Sequence, residues 1–179
     1  MDYSPHASGA FSVWDAGNAS PSILRLLPWV HHPPAKVLVP GLGSGQEVAA
    51  LHARGYAVVA LERAPSAADL PVERGDFVHS DYQGSFDLIC ERGYFAGLAP
   101  SERAAYVQAA ARALRPGGIL FGVFLEGRTP TDRAPFGTTA AELLRAFAPA
   151  FDVQLLGPAP FGGPGERAQL EAILVRRVD

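Results

Sequence analysis

Residues 36–51 read KVLVPGLGSGQEVAAL: an apolar run, three glycines on alternate positions, then a helix-forming run. Val37-Leu38-Val39 has the continuous apolar character of a fully buried strand. Pro40 has no N–H for a sheet ladder, so the strand is expected to stop before it. Gly41, Gly43 and Gly45 let the backbone turn tightly and let a ligand approach where a Cβ would block it. Ser44 is placed to cap the helix that follows, and a helix N-terminus presents unpaired N–H groups to an anion. Strand, glycine loop and helix together form the first half of a βαβ nucleotide-binding unit.

The rest of the chain supports a parallel sheet. Ser20–Leu27 reads as a short helix capped by Ser20, with Pro21 in its first turn and Pro28 at its end. Tyr56–Leu61 reads as a second strand closed by Glu62, and Ala64–Leu70 as a short helix. Val72–Val78 holds a third strand and Phe86–Cys90 a fourth, with Glu91–Phe95 as the loop after it. Ser101–Leu114 is a helix capped by Ser101 and stopped by Pro116-Gly117-Gly118, and Ile119–Leu125 is the fifth strand. Thr139–Phe147 is a helix, and Phe151–Leu156 and Ala172–Arg176 are the last two strands. Alternating strands and helices imply an α/β fold with helices on both faces of a mostly parallel sheet. The final pair lacks a helix between its members, which gives one antiparallel strand at an edge.

The 179 residues are 48% apolar with a net charge of −3, which fits one globular domain without a broad basic surface for nucleic acid. No apolar run is long enough to span a bilayer, and no signal pattern opens the chain, so a soluble cytoplasmic protein is expected. Cys90 is the only cysteine and sits in a strand pattern, where it reads as packing. The five histidines show no metal-ligand spacing beyond the adjacent His31-His32, read as loop surface. Residues 1–34 are set apart as a cap or lid with a short helix, ahead of a ligand-binding domain over 35–179. Its first 19 residues read either as a loosely packed tail or as a lid over substrate.

The glycine spacing discriminates between ligands. A dinucleotide fingerprint needs Gly-x-Gly-x-x-Gly, and Gln46 or Val48 stands where its third glycine would be. Gly-x-Gly-x-Gly is the spacing of class I S-adenosylmethionine-dependent methyltransferases. Glu62 lies about 20 residues past the first glycine, where an acid accepts both ribose hydroxyls. It reads alternatively as a solvated strand-end charge. Asp76 and Phe77 are placed to meet an adenine amino group and ring, or to serve as a turn residue and a core ring.

The motifs together resemble the thiopurine S-methyltransferase family, whose members methylate thiols, halides or metalloids. The resemblance rests on Val37–Gly41, Glu62, Gly75-Asp76-Phe77 and Phe86–Gly93. It continues through Trp14–Gly17, Pro100–Tyr106, Arg115–Gly118, Ala134-Pro135-Phe136 and Ala141–Leu144. It implies a Rossmann-like, seven-stranded fold and S-adenosyl-L-methionine held by Pro40, Gly41, Leu42, Gly43, Gly45, Glu62, Arg63, Asp76, Phe77, Glu91 and Arg92. It also implies a small-molecule acceptor bound near Trp14, Tyr94, Phe95, Pro135 and Phe136, with Phe161 a further aromatic near it. Arg92 is the residue placed to position a reacting group, or else forms a structural ion pair with Glu91 or Asp87. The chain departs from the family in Glu91, usually aspartate there, in the short Ala64–Arg74 segment, and in the reduced Pro135-Phe136 motif. Those departures leave a non-catalytic cofactor-binding protein as the alternative, with a dinucleotide-binding module behind it.

Overall fold

The computed structural model describes residues 18–63, 72–127, 133–160 and 167–178. Trp14, the rest of its motif, the 64–70 segment and Phe161 lie outside the described residues. Seven strands form one sheet: β1 Lys36–Pro40, β2 Ala57–Glu62, β3 Val72–Arg74, β4 Phe86–Arg92, β5 Leu114–Leu125, β6 Phe151–Pro158 and β7 Gln169–Arg176. Among the described residues five α-helices accompany them: α1 Pro21–Leu26, α2 Gln46–His52, α3 Tyr94–Gly97, α4 Arg103–Ala113 and α5 Ala140–Phe147. The spatial order is β3-β2-β1-β4-β5-β7-β6. β7 runs antiparallel to both neighbours, so the reversed strand lies one place in from the edge, which β6 occupies.

Period-two alternation divides the core between the two faces. Leu38, Ile89, Leu120 and Phe124 point to the face packed with Tyr106, Ala110, Leu143 and Phe147 of α4 and α5. Val37, Val39, Leu88, Cys90, Phe121 and Val123 point to the other, packed with Ile23, Leu26, Val48 and Leu51 of α1 and α2. The described part of the 1–34 segment therefore packs into the sheet's own core. Arg25 reaches from α1 to pair with Glu171, a β7 carboxylate that is otherwise buried.

Several boundaries differ from the sequence reading. Pro40 is the last residue of β1, paired in register with Leu61. Gly41 N–H donates to Leu61 O, so the nitrogen of Pro40 is directed to the β4 side, where the register with β1 covers only Val37 and Leu38. The missing donor thus falls where the ladder has already ended. Gly45, in the left-handed region at φ 80°, replaces Ser44 as the cap of α2. Ser20 gives no side-chain cap to α1. Its carbonyl accepts from Leu24 N–H and its own N–H donates to Glu47. β4 continues through Glu91 and Arg92, paired with Gly122 and Val123. β3 is confined to Val72–Arg74, and Phe77–His79 is a 3-10 turn. Another 3-10 turn, Pro100–Glu102, precedes α4, so Ser101 lies inside it rather than capping the helix. β5 already begins at Leu114, which pairs with Phe86; Arg115–Gly118 then bulges outward before Ile119 pairs with Leu88. Gly117 at φ 74° permits that bulge, and the buried Leu114 fixes the chain on its near side.

Candidate functional site

The chain runs from β1 outward through β2 to β3, then crosses back to place β4 on the other side of β1. A crevice opens at such a reversal, beyond the carboxyl ends of the strands. Two segments enter it: the glycine loop after β1 and the Glu91–Phe95 segment at the end of β4.

The loop is held by β2. Gly41 N–H donates to Leu61 O at 2.8 Å, and Leu42 N–H donates to Glu62 Oε2 at 3.0 Å. Glu62 Oε1 accepts the N–H of Arg63 at 2.8 Å. Gly41, Gly43 and Gly45 all have positive φ. A Cβ on Gly43 would meet no atom within 4 Å, so the loop backbone faces open space there. That uncovered backbone, with an acid fixed beside it, fits a nucleoside-bearing ligand.

Asp76 collects three donors. Tyr94 OH reaches its Oδ1 at 2.6 Å, while Arg63 and His79 reach Oδ2, each at 2.7 Å. Partial burial acts to raise its pKa, but the bonds from Tyr94, Arg63 and His79 outweigh it and hold the carboxyl at about 2. Asp76 is therefore a carboxylate at neutral pH. Tyr94 also lies against the loop, its ring 3.3 Å from where a Cβ on Gly41 would sit. Its placement spans the glycine loop and Asp76.

The β4 turn is built around a buried acid. Glu91 is 0% exposed. Its Oε1 accepts Phe95 N–H at 3.0 Å and its Oε2 accepts Tyr106 OH at 2.5 Å. The N–H groups of Gly93 and Tyr94 also favour the carboxylate. Burial nevertheless dominates and raises its pKa to about 7. Glu91 thus organises the start of α3 and presents no atom to solvent. Gly122 makes room for it, since a Cβ there would lie 2.1 Å from Glu91 O.

Arg92 projects to the other face of the sheet. Its guanidinium pairs with Glu47 in the first turn of α2, instead of with Glu91 or Asp87. Asp87 pairs with Arg115 at the opposite end of the strand. Glu47 Oε1 also accepts Ser20 N–H at 2.9 Å, so one carboxylate links Arg92 to the start of α1. Sequence reasoning passed over Glu47, because an acid among good helix formers resembles a solvated face. Its signal was position: the first turn of a helix that starts where β4 ends.

The aromatic candidates divide. Phe77 is fully buried, edge-on to Tyr94 and Tyr106, and Phe95 is packed among Tyr106, Phe124 and Phe147. Both rings are committed to the core and offer no open face. Pro135 and Phe136 lie beyond the carboxyl end of β5, where Phe136 N–H donates to Ala96 O of α3 at 2.7 Å. Cys90 is buried, which pushes its thiol well above the ordinary range and suits packing rather than attack. Among the described residues no three His, Cys, Asp or Glu side chains gather as a metal-binding set, and no helix is long and apolar enough to cross a membrane.

Comparison with known proteins bears on this geometry. Residues 9–75, which include β1, the glycine loop, β2 and Glu62, match the family model of thiopurine S-methyltransferase. Thiocyanate methyltransferase 1 of Arabidopsis thaliana is 31% identical over 121 residues, covering 60% of this chain and 53% of that protein. Its namesake in Brassica oleracea is 30% identical over 60% of this chain and 54% of that protein. The chain thus spans about half the length of the curated relatives it matches. Among solved structures, 1,6-didemethyltoxoflavin-N1-methyltransferase of Burkholderia thailandensis, crystallised with S-adenosylhomocysteine, aligns with a TM-score of 0.76 at 19% identity over 88% of this chain and 77% of that one. A TehB-like S-adenosylmethionine-dependent methyltransferase of Corynebacterium glutamicum aligns at 0.70 and 22% identity, over 90% and 91% of the two chains. At these identities the structures speak to fold alone. The chain carries the class I methyltransferase fold and, over residues 9–75, resembles the thiopurine S-methyltransferase family.

Proposed function

We propose that this chain is an S-adenosylmethionine-dependent methyltransferase acting on a small soft nucleophile, a thiol, halide or metalloid. The observation that carries the reading is the bond from Leu42 N–H to Glu62, which fixes an acid beside an open glycine loop within the stretch that matches the family. The thiocyanate methyltransferases named above favour a soft anionic acceptor. When bound, the cofactor supplies an electrophilic methyl group on a sulfonium.

The chain's own residues bind and orient. Pro40, Gly41, Leu42, Gly43 and Gly45 admit the nucleoside, with Arg63 completing the rim. Glu62 accepts the ribose hydroxyls, and the Asp76 carboxylate accepts the adenine amino group. Glu91 holds the β4 turn in shape, with Phe77 packed beneath. Arg92, steadied by Glu47, holds the methionine carboxylate or an anionic acceptor through its planar guanidinium. Trp14, Pro135 and Phe136 form the acceptor side, Phe95 supports it from the core, and the part of the 1–34 segment ahead of α1 serves as its cap. A soft nucleophile needs alignment and exclusion of water more than a strong base, so no dedicated proton acceptor is assigned. The reading places the enzyme in the cytoplasm, where thiols stay reduced, and includes no nucleic-acid or membrane partner.

The test is methyl transfer from S-adenosylmethionine to a panel of aromatic and aliphatic thiols, iodide and thiocyanate, read as S-adenosylhomocysteine formed. Turnover of at least one of these is expected. Binding of cofactor without turnover of any would favour the non-catalytic reading instead.

A further inference from the structure

Arg103 opens α4. The structure buries it to 9% exposure. It forms no ion pair among the described residues, and its Nε–H is buried without an acceptor. Burial lowers its pKa, opposed only by the more distant Glu142. Burying a charge without a counter-ion is costly unless its N–H groups are hydrogen-bonded. Here Nη2 donates to Phe136 O at 3.1 Å and to Gly137 O at 3.0 Å. The guanidinium lies over the Phe95 ring, 4.7 Å from its centroid.

These contacts converge on one short segment. Phe136 N–H donates to Ala96 O of α3, and Thr138 N–H donates to Leu125 O at the end of β5. Phe95, beneath the guanidinium, has its own N–H on Glu91. Arg103 therefore joins the 136–137 backbone to the same turn that Glu91 shapes. One nitrogen meets both carbonyls; a lysine keeps the charge but has a differently placed ammonium and lacks the flat face that lies over the ring.

We propose that Arg103 is a positioning residue for the methyl acceptor: it holds residues 136–137 against α3 and so sets the acceptor side relative to the Gly93 turn. The inference rests on the methyltransferase reading above, with Phe136 on the acceptor side.

The experiment compares wild type, Arg103→Lys, Phe136→Ala and the double variant, with S-adenosylhomocysteine affinity and steady-state kinetics on the best thiol acceptor. Arg103→Lys should raise the acceptor KM at least ten-fold, while kcat stays within three-fold and S-adenosylhomocysteine affinity within two-fold. Phe136→Ala should raise the same KM, and the double variant should be no worse than the worse single one. An unchanged acceptor KM in folded Arg103→Lys overturns the proposal alone. So does a parallel loss of cofactor affinity, which marks general structural damage. If Arg103→Lys does not fold, an unchanged acceptor KM in Phe136→Ala overturns it. A wild type that turns over no acceptor overturns the methyltransferase reading, and this role with it.

Discussion

Replacing Glu91 with glutamine isolates the energetic consequence of burying an acid beneath the site. The amide oxygen can still accept Phe95 N–H, and the amide NH2 can donate to the Tyr106 hydroxyl oxygen, so the shape of the turn is retained. What disappears is the titration. Burial raises the folded-state pKa from an ordinary 4.5 to about 7. Between those values the folded protein binds more protons than the unfolded chain. The associated stability is fully present below pH 4.5 and is lost as pH rises through 7. A shift of that size corresponds to about 3 kcal/mol. Urea unfolding of the two proteins at pH 4.5 and at pH 8 should show the glutamine variant gaining on wild type by about that amount. With a slope of ~2 kcal/mol/M, the difference between their midpoints should change by about 1.5 M urea. Parallel midpoints across the range would refute the reasoning, because they would mean that Tyr106 and the backbone N–H groups compensate fully for burial.

Glu62→Ala should lower S-adenosylhomocysteine affinity ten-fold or more by isothermal titration, since a charge-assisted bond contributes about 1.5–3 kcal/mol and the loop also loses its anchor. Unchanged affinity in a folded variant would remove Glu62 from the site. Arg92→Lys keeps the charge beside Glu47 but loses the planar guanidinium, and methyl transfer should fall by about one to two orders of magnitude. Equal turnover at subsaturating acceptor would reduce Arg92 to a structural partner. Gly122→Ala drives a methyl group into Glu91 O on a paired strand that cannot move aside, so stability should fall by about 1–3 kcal/mol in chemical denaturation.

The parts of the fold legible in the sequence were those fixed by local chemistry. Apolar runs gave β1, β2 and β4, and the glycines between β1 and α2 could serve only as a tight loop. Thr139 and Glu142 form the capping box expected of a helix start at that point. The errors came where distant partners override local preference. Glu91 and Arg92 resemble loop residues, yet sheet pairing, Tyr106 and Glu47 satisfy them inside a strand. Pro116-Gly117-Gly118 resembles a stop, yet Leu114 is already paired with Phe86 before it. Tyr94 and Phe95 are neighbours in the chain, but the first turn of α3 sends the two rings in different directions: one against Gly41 and Asp76, the other into the core. Arg103 carries no sequence signal that separates it from an ordinary helix charge, and Glu47 carries only its position in the first turn of α2. Their importance arises only from what folding places opposite them.

The central claim is that the glycine loop and Glu62 hold an S-adenosyl nucleoside rather than a dinucleotide. Titrating the protein calorimetrically with S-adenosylhomocysteine and, separately, with NAD tests it most directly. Saturable binding of S-adenosylhomocysteine is expected, together with a rise in stability of about 2.7 kcal/mol at a hundred-fold excess over its Kd, and no response to NAD. Binding of NAD without binding of S-adenosylhomocysteine would contradict the claim.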